Sequence, residues 1–232
     1  VVGAGMSGLI AARELSRQGV DVLVLEAADR VGGRTLTETS ALGSTLDLGG
    51  QWIGYGHHRF EALADELGAT RFEMRSPKSP ALLDGERVVP MASSTMALAG
   101  AALAGMAALS HLPSRNRWNT TTLDQWLVRV PSDDARRLLD VLAVVSSTAD
   151  PDRISVQAFL SFIAYQGGLS TMLKTRGGAQ HALVAEGAGA LAQRLAAQLG
   201  DRVRTAARVT SITQNDNDVT IGTATDTVRA DR

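Results

Sequence analysis

The chain has 232 residues, 44% of them apolar, enough to bury a substantial core and to fold as one or two domains. Its 23 basic and 24 acidic residues leave a formal net charge of −1, which argues against a nucleic-acid or acidic-membrane partner. With no cysteine, the segment contains no disulfide, no thiolate zinc site and no cysteinyl link to a cofactor.

The N-terminus reads Val1-Val2-Gly3-Ala4-Gly5-Met6-Ser7-Gly8, a short strand running through a glycine turn into a helix predicted over 7–18. Gly3 suits the tight turn, Gly5 a close approach of backbone to a pyrophosphate, and Gly8 close packing of helix on sheet. The helix carries Leu9, Ala12 and Leu15 on one face and stops at Gly19. A strand over 21–26 ends at Glu26, 26 − 5 = 21 positions after Gly5, near the spacing at which a carboxylate accepts from ribose hydroxyls. Gly-x-Gly-x-x-Gly alone is weak evidence. The acid at the following strand end makes it a dinucleotide-binding βαβ unit.

Short strands are expected around 35–39 and 45–48, then a helix from His58 to Leu67 stopped by Gly68. The adjacent His57 and His58 read as a solvated loop pair, and the four histidines show no metal-ligand spacing, so no metal is expected. Ala81–Val89 reads as a hairpin around Asp84-Gly85. From there to about Leu173 the pattern is helical, with Ser132-Asp133-Asp134 as an N-cap. Met91–Leu112 lacks charge and is long enough to cross a bilayer, yet its Ala, Gly and Ser content favours a buried or half-buried helix. A helix over 190–199 and strands over 208–213 and 219–222, joined by an Asn215-Asp216-Asn217 turn, close the chain. Residues 226–232 carry a further strand pattern.

Between these elements lie Leu25-Glu26-Ala27-Ala28-Asp29-Arg30-Val31-Gly32-Gly33-Arg34 and Asp47-Leu48-Gly49-Gly50-Gln51-Trp52. Paired glycines beside an arginine offer bare backbone and a guanidinium to a diphosphate, a clamp that a nicotinamide-dependent reductase does not need. Together with Arg176-Gly177-Gly178-Ala179-Gln180 and Glu186-Gly187-Ala188-Gly189, these motifs resemble the flavin-containing amine oxidases, the group of monoamine, putrescine and polyamine oxidases and L-amino acid oxidases. The order and spacing are similar to those of monoamine oxidases almost to the end of the chain. Two departures are Ala188, where relatives more often have glycine, and Tyr55-Gly56-His57-His58, where they tend to have a Pro-Thr-Gln turn.

The resemblance implies an α/β fold: an FAD-binding Rossmann-like domain over 1–76 and 177–232, interrupted by a mainly helical substrate domain over 77–176. It implies FAD held by Gly3, Gly5, Met6, Ser7 and Gly8 at the pyrophosphate and by Glu26 and Ala27 at the adenosine ribose. Gly33 and Arg34 would add a pyrophosphate contact, Gly49, Gly50, Gln51 and Trp52 would lie against the isoalloxazine, and Val209 would meet adenine through its backbone. Trp52, Val145, Ser146 and Leu173 fall where relatives line the substrate cavity. At the Trp52 position snake-venom-type L-amino acid oxidases place a carboxylate-binding arginine, so tryptophan favours an amine over an amino acid.

The implied reaction is oxidation of an amine to an imine, with dioxygen reoxidising the flavin to give hydrogen peroxide. Its alternatives are an L-amino acid oxidase or desaturase-like flavoenzyme, and a non-catalytic nucleotide-binding protein. The small-molecule amine and dioxygen are the expected partners, with neither nucleic acid nor membrane. A homodimer is among the assemblies open to the protein, and the expected location is cytoplasmic. Only two residues precede the glycine turn, where strands usually have about five or six, and the end stops in a strand pattern. The chain therefore reads as an N-terminal fragment, truncated at both ends. Its only lysines, Lys78 and Lys174, lack the context of the lysine that relatives place near flavin, so the catalytic residues stay unknown and the fragment alone is expected to be inactive.

Overall fold

The computed structural model describes residues 1–75 and 82–231. Lys78, Ala81 and the expected domain bound at 76–77 lie outside the described residues.

Helix α1 (Met6–Arg17) follows the glycine turn and buries Leu9 and Ala12 completely. The strand expected over 21–26 forms a regular ladder only at β1 (Val24–Leu25), because its neighbours offer short stretches: Val2 bridges Leu25 on one side and 203–204 pair on the other. An antiparallel hairpin of β2 (Thr37–Thr39) and β3 (Thr45–Asp47) comes next. Helix α2 (His58–Glu66) takes His57 as its N-cap, so the adjacent histidines open a helix rather than sit in a loop. Then come β4 (Arg71–Glu73) and the hairpin of β5 (Leu82–Asp84) and β6 (Arg87–Val89), closed by the Asp84–Arg87 pair around Gly85.

Six helices follow: α3 (Ser94–Ser110), α4 (Asn116–Thr120), α5 (Leu123–Leu127), α6 (Asp133–Ser147), α7 (Val156–Tyr165) and α8 (Leu169–Leu173). The charge-free stretch around α3 is a half-buried helix with Ala99 and Met106 inward, capped by the Ser93 hydroxyl, which accepts from the Met96 N–H at 3.3 Å. Among the described residues no helix is long and apolar enough to cross a membrane. The chain continues with β7 (Ala182–Val184), α9 (Ala188–Leu199), β8 (Val203–Arg204), β9 (Val209–Gln214), β10 (Asp218–Thr223) and β11 (Thr227–Asp231).

Two compact units result. One comprises residues 1–53, 57–73 and 182–232, the other 54–56 and 74–181. In the first, the Val2 bridge, β1 and β8 run parallel, the pairing of a βαβ crossover. Helices α1 and α9 bury Leu9, Ala12, Ala192 and Leu195 with Val24, and Ile53, Ala64, Ala182 and Leu191 extend this core. β4 pairs antiparallel with β7, and β9, β10 and β11 form an antiparallel sheet. The nearly buried Arg13 of α1 reaches Glu66 of α2 at 3.2 Å. The second unit is mainly helical, with Leu123, Phe159, Leu160 and Ile163 at the centre of its own core. The architecture is an α/β unit of dinucleotide-binding type interrupted by a helical one.

Candidate functional site

The start of α1 is shaped by what glycine permits. Gly3 adopts φ +97°, which turns the chain out of the sheet, and a Cβ on Gly8 would run into the Gly3 carbonyl. Gly32 donates to the Ala4 carbonyl at 2.9 Å, which brings the second glycine pair alongside the first. A Cβ on Gly33 would stand 3.2 Å from the Gly5 Cα, so the two backbones face each other without side chains between them. The two glycine motifs thus make one surface rather than two separate clamps. Helix α1 has no side-chain cap and no acid in its first turn. Its first N–H groups therefore remain available, at the positive end of the helix dipole. That is the donor set a diphosphate requires, and the residues present fit one.

Glu26 stands at the end of β1. Its Oε2 accepts from the Ala4 N–H at 2.6 Å and its Oε1 from the Ala28 N–H at 2.8 Å. Partial burial pushes this carboxyl up. The backbone N–H groups of Ala28, Ala4 and Ala27, and the charge of Arg30, outweigh that effect and hold it below the ordinary glutamate range. Glu26 is thus an ionised acceptor beside the glycine turn, with further lone-pair capacity for hydroxyl donors. The Ala206 N–H donates to the Ala28 carbonyl at 2.7 Å, and the Ala207 N–H to the Glu26 carbonyl at 2.8 Å. These bonds carry the chain past Glu26 to the half-buried Val209, first residue of β9. Ala206 holds φ +54°, a strained setting for a residue with a side chain.

The Arg34 carbonyl accepts from the Gly50 N–H at 2.9 Å, which sets Arg34 and Gly49–Gly50 side by side. The side chain of Arg34 is exposed. Arg30 is exposed as well, but its guanidinium donates to the carbonyls of Gly33 at 3.0 Å and of Val31 and Thr35 at 3.3 Å, so it holds the glycine loop in shape. Gln51 and Trp52 are half-buried, and Ile53 behind them exchanges two hydrogen bonds with Ala182, at 2.8 and 2.9 Å.

Gly3, Gly5, Met6, Ser7, Gly8, Glu26, Ala27 and Gly33 therefore converge, with Val209 joined to them through 206–207. Val145, Ser146 and Leu173 belong to the helical unit. Val145 is 72% and Leu173 47% exposed, so neither is a core residue of its own unit. Among the described residues no three His, Cys, Asp or Glu groups gather as a metal site.

Sequence reasoning missed Arg30, Thr37, Asp47 and the 206–207 segment. Only Arg30 and Asp47 left a local signal, each being a charged residue at a short distance before a glycine pair.

Residues 6–232 match the family model described as flavin containing amine oxidoreductase. AofH of Mycobacterium tuberculosis, assigned as a flavin-containing monoamine oxidase, is 35% identical over 95% of this chain and 52% of that protein. Cyclohexylamine oxidase from Brevibacterium oxydans superposes with a TM-score of 0.90 at 28% identity, covering 99% of this chain and 55% of the other. A putrescine oxidase solved with putrescine bound gives 0.82 at 28%, covering 100% and 56%. The chain spans about half the length of the curated relatives it matches. With the family model covering nearly every residue, and a glycine-lined, uncapped helix start already in place for a diphosphate, the chain belongs to the flavin-containing amine oxidoreductases, whose cofactor is FAD.

Proposed function

We propose that this chain is the cofactor-binding part of an FAD-dependent amine oxidase that converts an amine to an imine. The observation that carries the reading is the open N-terminus of α1 between Gly5 and Gly33, with the ionised Glu26 beside it. In this reading the N–H groups of Met6, Ser7 and Gly8 hold the pyrophosphate, and Gly33 and the exposed Arg34 supply a further backbone contact and a cation. Glu26 and Ala27 take the adenosine ribose, and the Val209 backbone meets adenine. Gly49, Gly50, Gln51 and Trp52 lie against the isoalloxazine.

Bound flavin would supply the two-electron acceptor for oxidation of the amine, with dioxygen, taking up two electrons and two protons to give hydrogen peroxide, as the terminal acceptor. The protein's part is to orient the amine and exclude water. Trp52 offers an apolar wall without a carboxylate partner, which suits a small amine better than an amino acid. Val145, Ser146 and Leu173 of the helical unit are the further candidates for substrate contact. Two solved relatives named for cyclohexylamine and putrescine support a small amine substrate.

The test is a visible spectrum of the purified full-length protein before and after anaerobic addition of small amines and, separately, of L-amino acids. A flavin band that bleaches with an amine and returns with air is the expected result. Bleaching by amino acids alone would move the assignment to an amino acid oxidase. A colourless protein that takes up no added FAD would overturn the proposal.

A further inference from the structure

We infer that Asp47, acting with Thr37, is a positioning residue that holds Gly49–Trp52 at the flavin. The inference rests on the reading that this segment faces the isoalloxazine. The hairpin β2–β3 has little to hold it in place by burial. Leu46 is 45% and Leu48 59% exposed, and a two-stranded hairpin is marginal on its own. What anchors it is polar and comes from far along the chain. Both carboxylate oxygens of Asp47 accept from the Ala188 N–H, at 3.0 and 3.1 Å. The Thr37 hydroxyl donates to Asp47 and accepts from the Gly189 N–H at 2.8 Å. Helix α9 has no cap from its own sequence, since Gly187 stands at the N-cap position, so the hairpin caps it from outside. The fit is close: a Cβ on Gly189 would lie 2.7 Å from the Thr37 hydroxyl and 2.9 Å from the Thr37 nitrogen.

This also separates the two glycine-flanked helix starts of the unit. The N-terminus of α9 is filled by Asp47, while that of α1 stays open. α9 is itself anchored by packing, with Leu191, Ala192 and Leu195 fully buried. From this anchor the chain leads directly to the segment in question. The Leu48 N–H donates to the Leu36 carbonyl at 2.7 Å and the Gly50 N–H to the Arg34 carbonyl at 2.9 Å. At the far end Ile53 is fixed to Ala182. Residues 48–52 therefore run from the Asp47 anchor at the start of α9, along these two bonds to 34–36, to the Ile53 attachment at the start of β7. Removal of the Asp47 anchor loosens the hairpin to which 48–50 are bonded.

The experiment compares the full-length wild-type protein with Asp47→Ala, Asp47→Asn, Thr37→Val and Leu199→Ala. It reads FAD affinity, the visible absorption and circular dichroism of bound flavin, and the urea midpoint. Asp47→Ala is expected to weaken FAD binding about tenfold, comparable to the loss of a helix cap, and to shift the flavin spectrum. Thr37→Val, a substitution of nearly equal shape, is expected to shift the spectrum in the same sense, which covers the case in which Asp47→Ala fails to fold. Asp47→Asn keeps an acceptor oxygen and is expected to restore most of both signals. Leu199→Ala loosens the opposite end of α9, about 16 Å along its axis. It should lower the urea midpoint without moving the spectrum. Wild-type spectrum and affinity in both Asp47→Ala and Thr37→Val would overturn the inference, as would an equal spectral shift in Leu199→Ala. No flavin uptake by the wild type would instead remove the underlying function.

Discussion

Glu26 touches the backbone on both of its oxygens, so its role divides into two parts that mutation can separate. The bonds to Ala4 and Ala28 shape the glycine turn, and the remaining lone pairs are the acceptors we propose for the ribose. Glu26→Ala should weaken FAD binding by about 1.5–3 kcal/mol, the loss of a charged acceptor, measurable by flavin fluorescence titration. Unchanged affinity would refute the assignment. The pH dependence follows from the direction of its titration. Because the folded protein holds this carboxyl below the ordinary glutamate range, its ionised form contributes stability that is present above that range. That contribution is lost as pH falls through the lower, folded-state value. Urea midpoints of wild type and Glu26→Gln should therefore differ at neutral pH and converge in acid. A gap that stays constant down to the acid limit would show that the charge of Glu26 does nothing for the fold.

Helix ends and glycines predict the behaviour of the elements. The Ser132 hydroxyl accepts from the Ala135 N–H at 3.3 Å, with Asp133 and Asp134 in the first turn of α6. Ser132→Ala should cost about 1 kcal/mol in a urea titration. Gly100 in α3 is the opposite case, since an added Cβ would meet nothing within 4 Å there. Gly100→Ala should stabilise by roughly 0.5–1 kcal/mol, and a loss would mean that something packs against that position. These elements were legible because their signals are local: a Ser-Asp-Asp cap, a glycine turn, an acid at a strand end. The β4–β7 pair was not. Arg71–Glu73 is exposed throughout, so only its partner, 109 to 113 positions later, makes it a strand. β8 is two residues long and exists by pairing with β1. Asp47 lies in a motif legible in the sequence, but its bond to the start of α9 appears only once the two are folded together, 141 positions apart. Patterns within about a dozen residues reveal which elements form, whereas attachments between distant segments appear only with the fold.

At the scale of the molecule, the two units carry separate cores, one around Leu9, Val24 and Leu195, the other around Phe159, Leu160 and Ile163. Every residue we assign to FAD belongs to the first unit. A ligand that binds only folded protein raises its stability by RT ln(1 + [L]/Kd), so added FAD should register on the unit that holds it. Leu195→Ala removes a fully buried side chain beneath α1 and should cost about 2–5 kcal/mol. The same mutation should weaken FAD uptake, because α1 rests on that core. Phe159→Ala, at about 3–5 kcal/mol, is as damaging to its own unit. It should nevertheless leave FAD affinity within twofold of wild type, about 0.4 kcal/mol. Calorimetric scans of both variants, with and without FAD, decide the matter. The expected result is an FAD-dependent transition lowered by Leu195→Ala and an FAD-independent one lowered by Phe159→Ala. Equal loss of FAD affinity in both variants would show that the cofactor depends on the helical unit as much as on the α/β unit, and the division of labour proposed for the two would fail.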